Sequence, residues 1–279
     1  MAIAIQDRHY LYSARELMGG FKDRAKGIKM PDVQLISEDD FWKCVFILDG
    51  KREAVYVKKG TLKKFEIQAA YAEAFGDYRW NGHCYIRPSM SIDKGDIVVD
   101  AGGCEGFYSK YALRQGASKV IIFEPYQELA SGLKKSFRKE IGEGRVLVIE
   151  KALGKRACEK PFFVNPKMIC ASSLVTKDDN ATEKRVPVIS LDECLAEFGI
   201  SRVDIIKMDI EDGEVDAVLG GRKIIRNCHP KMIIATYHSY RNATKIRRIC
   251  KKIDKEYRCK LYGCYQFLRP YRPYITLMY

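Results

Sequence analysis

Residues 91–279 read as a doubly wound α/β domain, a mostly parallel β-sheet with helices on both faces, and residues 1–90 as a small α+β appendage. Three observations predict this. From residue 92 onward, strand-like apolar runs alternate with segments of helical periodicity. A glycine-rich turn joins the first of those strands to its helix. The chain also changes character near Ser91, ahead of which a hairpin pattern and a single helix stand apart.

In the appendage, FWKCVFILDGKREAVYVKK holds two strand-like runs about a turn at Asp49 and Gly50, which predicts a β-hairpin. TLKKFEIQAAYAEAFG follows with helical spacing that places Leu62, Phe65, Ala69 and Ala72 on one buried face. An aromatic stretch containing Tyr78, Trp80, His83 and Tyr85 leads into the larger part, and the pattern gives the appendage no chemistry. Beyond it, residues 97–100 read as a strand, 107–115 as a helix closed by Gly116, 119–123 as a strand, 128–140 as a helix and 145–150 as a strand. Residues 163–186 read as an irregular loop. Then come a helix (191–198), a strand (203–209), a helix (214–226) and a strand (232–237). The run KIRRICKKIDKEYRCK, residues 245–260, sets Ile246, Ile249, Cys250, Ile253 and Tyr257 on one helical face. That is a docked helix with a solvated basic side, in preference to a dedicated binding patch. Strands around 261–268 and 274–279 close the chain.

Bulk properties narrow the function classes. A chain of 279 residues with 47% hydrophobic and 30% charged residues buries a sizeable core, which excludes a disordered polymer. Its apolar runs are strand-sized, too short to span a bilayer, and the N-terminus meets charge too early for a signal peptide. Ten cysteines without any CxxC pair are poor zinc spacing, so reduced thiols and a cytoplasmic location are expected. The net charge of +13 allows a nucleic-acid partner but does not favour one, because the basic residues are spread along the chain.

The chemistry concentrates after the strands. DAGGCEG, residues 100–106, lies between a strand and a helix, where Gly102, Gly103 and Gly106 allow a tight turn and close approach of a ligand. Glu124 ends the next strand, in VIIFEP, where a carboxylate can accept hydrogen bonds from two ribose hydroxyls. Together these residues make a nucleoside-binding device. Asp100 beside the loop would repel a pyrophosphate but can orient the loop or face a sulfonium, so S-adenosylmethionine is the expected cofactor and a nicotinamide dinucleotide ranks last. Phe107, Pro125, Lys151 and Ala152 complete the expected cofactor contacts. Asp209, in KMDIEDGE, ends the fourth strand and is expected to touch the donor or position the substrate, with Glu211 beside it. Glu211, Asp212 and Glu214 also read as first-turn carboxylates favoured by a helix dipole. His238 ends the fifth strand, beside Asp209, where imidazole can take the proton of an attacking hydroxyl. Asp209, Glu211 and His238 are therefore the candidate catalytic residues. No metal is expected, a divalent cation on those three being the lesser variant for want of a further ligand.

The ordered blocks GDIVVDAGGCEGFYSKYAL, VIIFEP, VPVISLDECL, VDIIKMDIEDGEVDAVLGG and PKMIIATYH resemble the FkbM family of methyltransferases over residues 75–240. The resemblance implies a Rossmann-like class I methyltransferase fold with a seven-stranded sheet. It also implies S-adenosylmethionine as donor and O-methylation of a sugar, glycan or secondary metabolite. The family's motif positions fall on Asp100, Gly102, Gly106, Glu124, Asp209, Glu211 and His238. Two departures stand out. Gly103 and Cys104 replace the more usual Ala-Asn, and Asp212 stands where glycine is common. Ser172 and Ser173 fall in a loop where the family often has serines. The alternatives are an RNA 2′-O-methyltransferase, kept open by the charge, and a non-catalytic nucleoside-binding module. The acidic 209–212 segment is unlike the Asn/Asp-Pro-Pro-aromatic tetrad of base N-methylation. The appendage, the 163–186 loop and the aromatic tail 262–279 are expected to shape the acceptor pocket.

Overall fold

Two short strands, β1 (Ile5–Asp7) and β2 (Tyr10–Tyr12), pair antiparallel near the N-terminus. The computed structural model describes residues 5–7, 10–12, 33–79, 81–175, 179–267 and 269–279. Trp80, Leu268 and most of the N-terminal stretch lie outside the described residues. The expected hairpin is β4 (Phe41–Leu48) and β5 (Lys51–Lys58), with β3 (Gln34–Glu38) added on its outer edge. Asp49 and Gly50 take φ of 49° and 72° at the turn, the left-handed pair whose twist suits a two-residue hairpin loop.

Helix α1 (Lys64–Phe75) opens on a side-chain cap, Lys63 N–H donating to Glu66 Oε2 at 2.8 Å. Its inward face differs from the expected one. Ile67 and Ala74 are buried with Glu66, whereas Phe65 is 48% exposed at the rim of a cavity. The reason is local: Leu62 precedes the helix, and inward rotation of Glu66 for the cap turns Phe65 outward.

The larger part begins with β6 (Ile97–Ala101), α2 (Phe107–Gln115) and β7 (Lys119–Phe123). The helix expected over 128–140 is two helices, α3 (Gln127–Ser136) and α4 (Arg138–Gly142), because Phe137 leaves helical geometry to bury its ring completely. After β8 (Val146–Ile149), a stretch in which the sequence predicts no strand contains β9 (Ala152–Leu153), β10 (Cys158–Val164) and β11 (Thr182–Ile189), the last two reaching into the expected 163–186 loop. These form a separate three-stranded sheet in the order β10-β11-β9. Helix α5 (Leu191–Glu197) starts on a capping box between Ser190 and Glu193 and leads to β12 (Ile205–Met208). The helix expected over 214–226 also divides, into α6 (Glu214–Gly220) and α7 (Arg222–Cys228), where Gly220 presses so closely on the Gly154 carbonyl that a Cβ would lie 2.1 Å from its oxygen. Strand β13 (Lys231–Ala235), helix α8 (Asn242–Ile253), β14 (Cys259–Tyr262) and β15 (Ile275–Met278) complete the chain.

The main sheet has seven strands in the order β14-β15-β13-β12-β6-β7-β8, and only β15 runs antiparallel to its neighbours. Val98 and Val99, Ile121 and Ile122, Ile205 and Ile206, and Ile233 and Ile234 are fully buried as adjacent pairs, so both sheet faces are covered. This is the Rossmann-like class I methyltransferase topology. Helix α8 buries Ile246, Cys250 and Ile253 while its basic residues face outward, and Tyr257 is buried just beyond its end. The N-terminal hairpin is welded to this body. Gly132 of α3 allows such close approach that a Cβ there would meet the Tyr56 carbonyl oxygen at 2.5 Å, and Tyr56 N–H donates to Ser136 Oγ at 2.7 Å. All ten cysteines are free, and no described helix is long and apolar enough to cross a membrane.

Candidate active site

The carboxyl ends of β6, β7, β12 and β13 open on one cavity of about 750 Å³, a size typical of small-molecule sites. At β6 the chain turns sharply. Gly102 has φ of 81° and lies so close to the neighbouring strand end that a Cβ would meet the Asp209 carbonyl oxygen at 1.9 Å. The Gly102 and Gly103 N–H groups donate to the Phe123 carbonyl at 3.0 and 3.1 Å. Asp100 performs the orienting role. It is 1% exposed, pairs with Lys207 at 3.0 Å and accepts from Ser109 Oγ at 2.6 Å. Lys207 Nζ in turn donates to the Gly102 carbonyl at 2.7 Å. Burial alone would lower the Lys207 pKa, but Asp100 and Asp209 outweigh it and keep the ammonium charged.

Of the expected cofactor contacts, Gly102, Gly103, Glu124, Pro125, Lys151, Ala152 and Asp209 line the cavity. Asp100, Gly106 and Phe107 do not. Gly106 supplies a left-handed residue at the start of α2, and Phe107 packs edge-on to Phe46 at 5.1 Å in the core beneath. Glu124 accepts from Cys104 N–H at 3.0 Å and from Tyr126 N–H at 2.9 Å, one bond on each carboxylate oxygen. Burial pushes its pKa up to about 7 despite those bonds. Each oxygen keeps a lone pair for a ligand hydroxyl.

At the other end of the cavity, β12 and β13 are neighbours and bring Asp209 and His238 together. His238 Nε2 lies 3.3 Å from Asp209 Oδ1 and 3.3 Å from Glu211 Oε2, and Nδ1 lies 3.2 Å from Glu214 Oε1. Burial would lower the His238 pKa, but Glu214 and Glu211 raise it well above the ordinary value. Asp209 is held well below the usual carboxylate range: burial opposes this, but His83, His238 and Lys207 prevail. The expected arrangement of His238 as a base steered by Asp209 is therefore altered. Both of its nitrogens face carboxylates.

A second histidine enters from the appendage. His83 Nδ1 pairs with Glu73 at 3.0 Å, and its Nε2 lies 3.0 Å from the Tyr85 hydroxyl and 3.5 Å from Asp209 Oδ2. Tyr85 O–H also donates to Asp209. Burial opposes protonation of His83, yet Glu73 and Asp209 raise its pKa to about 9. Tyr237, Tyr265, Phe267 and Tyr274 wall this end, with ring centroids 5.0 Å apart for Tyr237 and Tyr265 and 5.3 Å for Tyr265 and Phe267. The sequence reading missed Lys207, Glu73, His83 and Tyr85 as site residues. Lys207 carried a signal, being a lysine inside the apolar run VDIIKM, where a charge must be paired.

The profile of the Methyltransferase FkbM domain matches residues 100–259, more than half of the chain. The chain belongs to the FkbM methyltransferase family. Among curated relatives, it is 25% identical over 189 residues to "Methyltransferase sdnD" of Sordaria araneosa, covering 57% of this chain and 70% of that protein. It is 23% identical over 243 residues to "AMB antimetabolite synthetase AmbE" of Pseudomonas aeruginosa, covering 71% of this chain but 11% of that protein. The solved FkbM methyltransferase of Methylobacillus flagellatus shares the fold with a TM-score of 0.51 at 17% identity, over 79% of this chain and 56% of that one.

The two departures from the FkbM pattern have structural reasons. A Cβ on residue 103 would lie 2.2 Å from Ile122 Cγ2, so this chain's Ile122 fits only glycine there. Asp212 does adopt the glycine-like φ of 77°, held by Asn242 Nδ2 donating to its Oδ1 at 2.7 Å. Glu211 precedes it with φ of 53°, and Ser173 Oγ donates to its carbonyl. The serine loop thus fixes the backbone that carries Glu211. Ser172 lines the cavity and accepts from Asn165 N–H at 3.0 Å.

Proposed function

We propose that this FkbM methyltransferase uses S-adenosylmethionine to methylate a hydroxyl of a sugar, glycan or other neutral secondary metabolite. One observation carries the reading: a single cavity is lined by the glycine loop and Glu124 together with Asp209, His238 and His83. The donor's ribose would bond Glu124 and its adenosyl group would lie along Gly102, Gly103, Pro125 and Ala152. Its methyl would then point toward Asp209. An acceptor oxygen attacks that methyl, the C–O bond forms, and the C–S pair returns to sulfur, releasing S-adenosylhomocysteine. The hydroxyl proton passes to neutral His83, whose Nδ1 Glu73 holds at 3.0 Å. Because Glu73 and Asp209 keep His83 charged to about pH 9, turnover should climb through the alkaline range.

The acceptor class follows from the walls. Six carboxylates, Glu66, Glu73, Glu105, Glu124, Asp209 and Glu211, share the walls with Lys151, Lys207 and the imidazoles of His83 and His238, so the cavity offers no surplus of positive charge to a phosphate-bearing acceptor such as RNA. Tyr237, Tyr265, Phe267 and Tyr274 offer flat apolar faces to a ring. The name of the Pseudomonas relative, an antimetabolite synthetase, agrees with a secondary metabolite. The test is calorimetry with S-adenosylhomocysteine and with NAD, then methyl transfer to a panel of hydroxylated acceptors. The homocysteine product should bind and NAD should not. His83→Ala should keep that affinity and slow transfer by roughly 10²–10⁴-fold. Binding of NAD, or full activity in His83→Ala, would refute the assignment.

A further inference from the structure

We propose that Asp209, Glu211 and His238 form a binding site for a first-row divalent cation at the acceptor end of the cavity. This departs from the metal-free expectation of the sequence. The three ligand atoms lie within 4.8 Å of one another, with His238 Nε2 3.3 Å from an oxygen of each carboxylate. In an octahedral site with bonds of roughly 2.2 Å, adjacent ligands stand about 3.1 Å apart. The two His238 separations, 3.3 Å each, are close to that of neighbouring vertices. None of these contacts has hydrogen-bond geometry. The His238 imidazole is 6% exposed, and both of its nitrogens and Asp209 Oδ1 are buried without a hydrogen-bond partner. The surrounding carboxylates compensate these nitrogens while the ring is protonated, and a cation among the three groups would serve a neutral ring in the same way.

A carboxylate also stands behind the imidazole, at 3.2 Å. His238 Nδ1 faces Glu214, which is fully buried and fixed by Ile210 N–H donating to its Oε1 at 3.0 Å. A carboxylate behind the ring orients it and raises the basicity of the ligating nitrogen. All three ligands also line the cavity, so the remaining coordination positions open toward the acceptor. The imidazole donor selects against Mg²⁺ and Ca²⁺, and the two carboxylates suit Mn²⁺. A cation here would seat the acceptor oxygen and leave His83 as the proton acceptor. That role rests on the O-methyl transfer reading; the site itself does not.

The test is a Mn²⁺ titration of chelator-treated protein, followed by loss of the free-ion paramagnetic resonance signal. One Mn²⁺ per chain is expected, with affinity at least tenfold weaker in Glu211→Gln and in His238→Ala. Glu105→Gln, which removes a cavity carboxylate outside the cluster, should bind as the parent does. Calorimetry with S-adenosylhomocysteine on each variant reports whether the donor end is intact. No Mn²⁺ binding while the homocysteine still binds would overturn the cation site and spare the transfer reading. Unchanged Mn²⁺ affinity in both cluster variants would overturn it as well. Mn²⁺ binding by a protein that ignores the homocysteine would uphold the site and refute the transfer reading.

Discussion

Donor affinity should depend on pH through Glu124. Burial moves this carboxyl from its ordinary 4.5 to about 7, which makes its ionised form about 3 kcal/mol harder to hold in the folded protein. The sign for stability is fixed by proton counts. Between pH 4.5 and 7 the folded chain binds more protons at this position than the unfolded chain. The stabilisation is therefore complete below 4.5 and is lost as pH rises through 7. Ligand binding runs the other way, because ribose hydroxyls donate to the carboxylate and favour its ionised form. The affinity for S-adenosylhomocysteine should be flat above pH 8 and fall toward tenfold per pH unit below 7. At pH 5.5 it should be roughly thirtyfold weaker.

Glu124→Gln separates the causes. The amide carries no charge to desolvate, but its NH₂ must face either Cys104 N–H or Tyr126 N–H, a loss of about 1–3 kcal/mol. The two effects nearly cancel, so the free protein should keep its melting temperature at pH 8. Affinity should still fall by roughly 10–150-fold with one ribose acceptor gone, and the pH slope should vanish. Calorimetry from pH 5.5 to 8.5 on the parent, Glu124→Gln and Glu105→Gln decides the matter. Glu105 is the necessary control because burial raises it to about 7 as well. A parent affinity flat across this range, or a slope that survives in Glu124→Gln, would refute the reasoning.

Two further changes test the loop's supports. Lys207→Met should destabilise the chain by about 3–5 kcal/mol, because Asp100, 1% exposed, loses its counter-charge; Asp100→Asn should recover part of this, and a loss below about 1 kcal/mol in denaturant unfolding would refute the pair's role. Gly103→Ala drives a methyl to 2.2 Å from Ile122 Cγ2 and should cost about 1–3 kcal/mol along with donor affinity, while Gly142→Ala, with nothing within 4 Å, should be close to neutral by the same unfolding measurement.

The sheet was legible in the sequence because burial on both faces forces continuous β-branched runs, and VIIF and VDIIKM had no other use. Helix ends were less legible where a tertiary contact outweighed periodicity. Phe137 breaks the helix expected over 128–140 to fill the core, and Gly220 does so at the Gly154 carbonyl. The strands β10 and β11 were missed because their exposed faces carry Glu, Lys and Arg, which blurs the alternation that marks a half-buried strand. In the site, Asp209 and His238 were found because they follow adjacent parallel strands, a relation that topology fixes. His83 and Glu73 precede that sheet in the chain, and no local spacing says where an appendage folds back.

That folding back changes what the charge of the chain means. Among the described residues, basic side chains face outward on helix α8, where Lys245, Arg247, Arg248, Lys251 and Lys252 meet solvent. Inside, the appendage adds Glu66 and Glu73 to the carboxylates already gathered at the strand ends. A ligand would therefore meet a basic surface and then a chamber of mixed charge. An anionic polymer could be held by the surface but would find no surplus of positive charge inside, whereas a neutral polyol would be indifferent to the first and could be hydrogen-bonded in the second. Asp209, Glu211 and Glu214 gather the negative charge that would hold either a buried imidazolium or a neutral imidazole with a cation bound beside it.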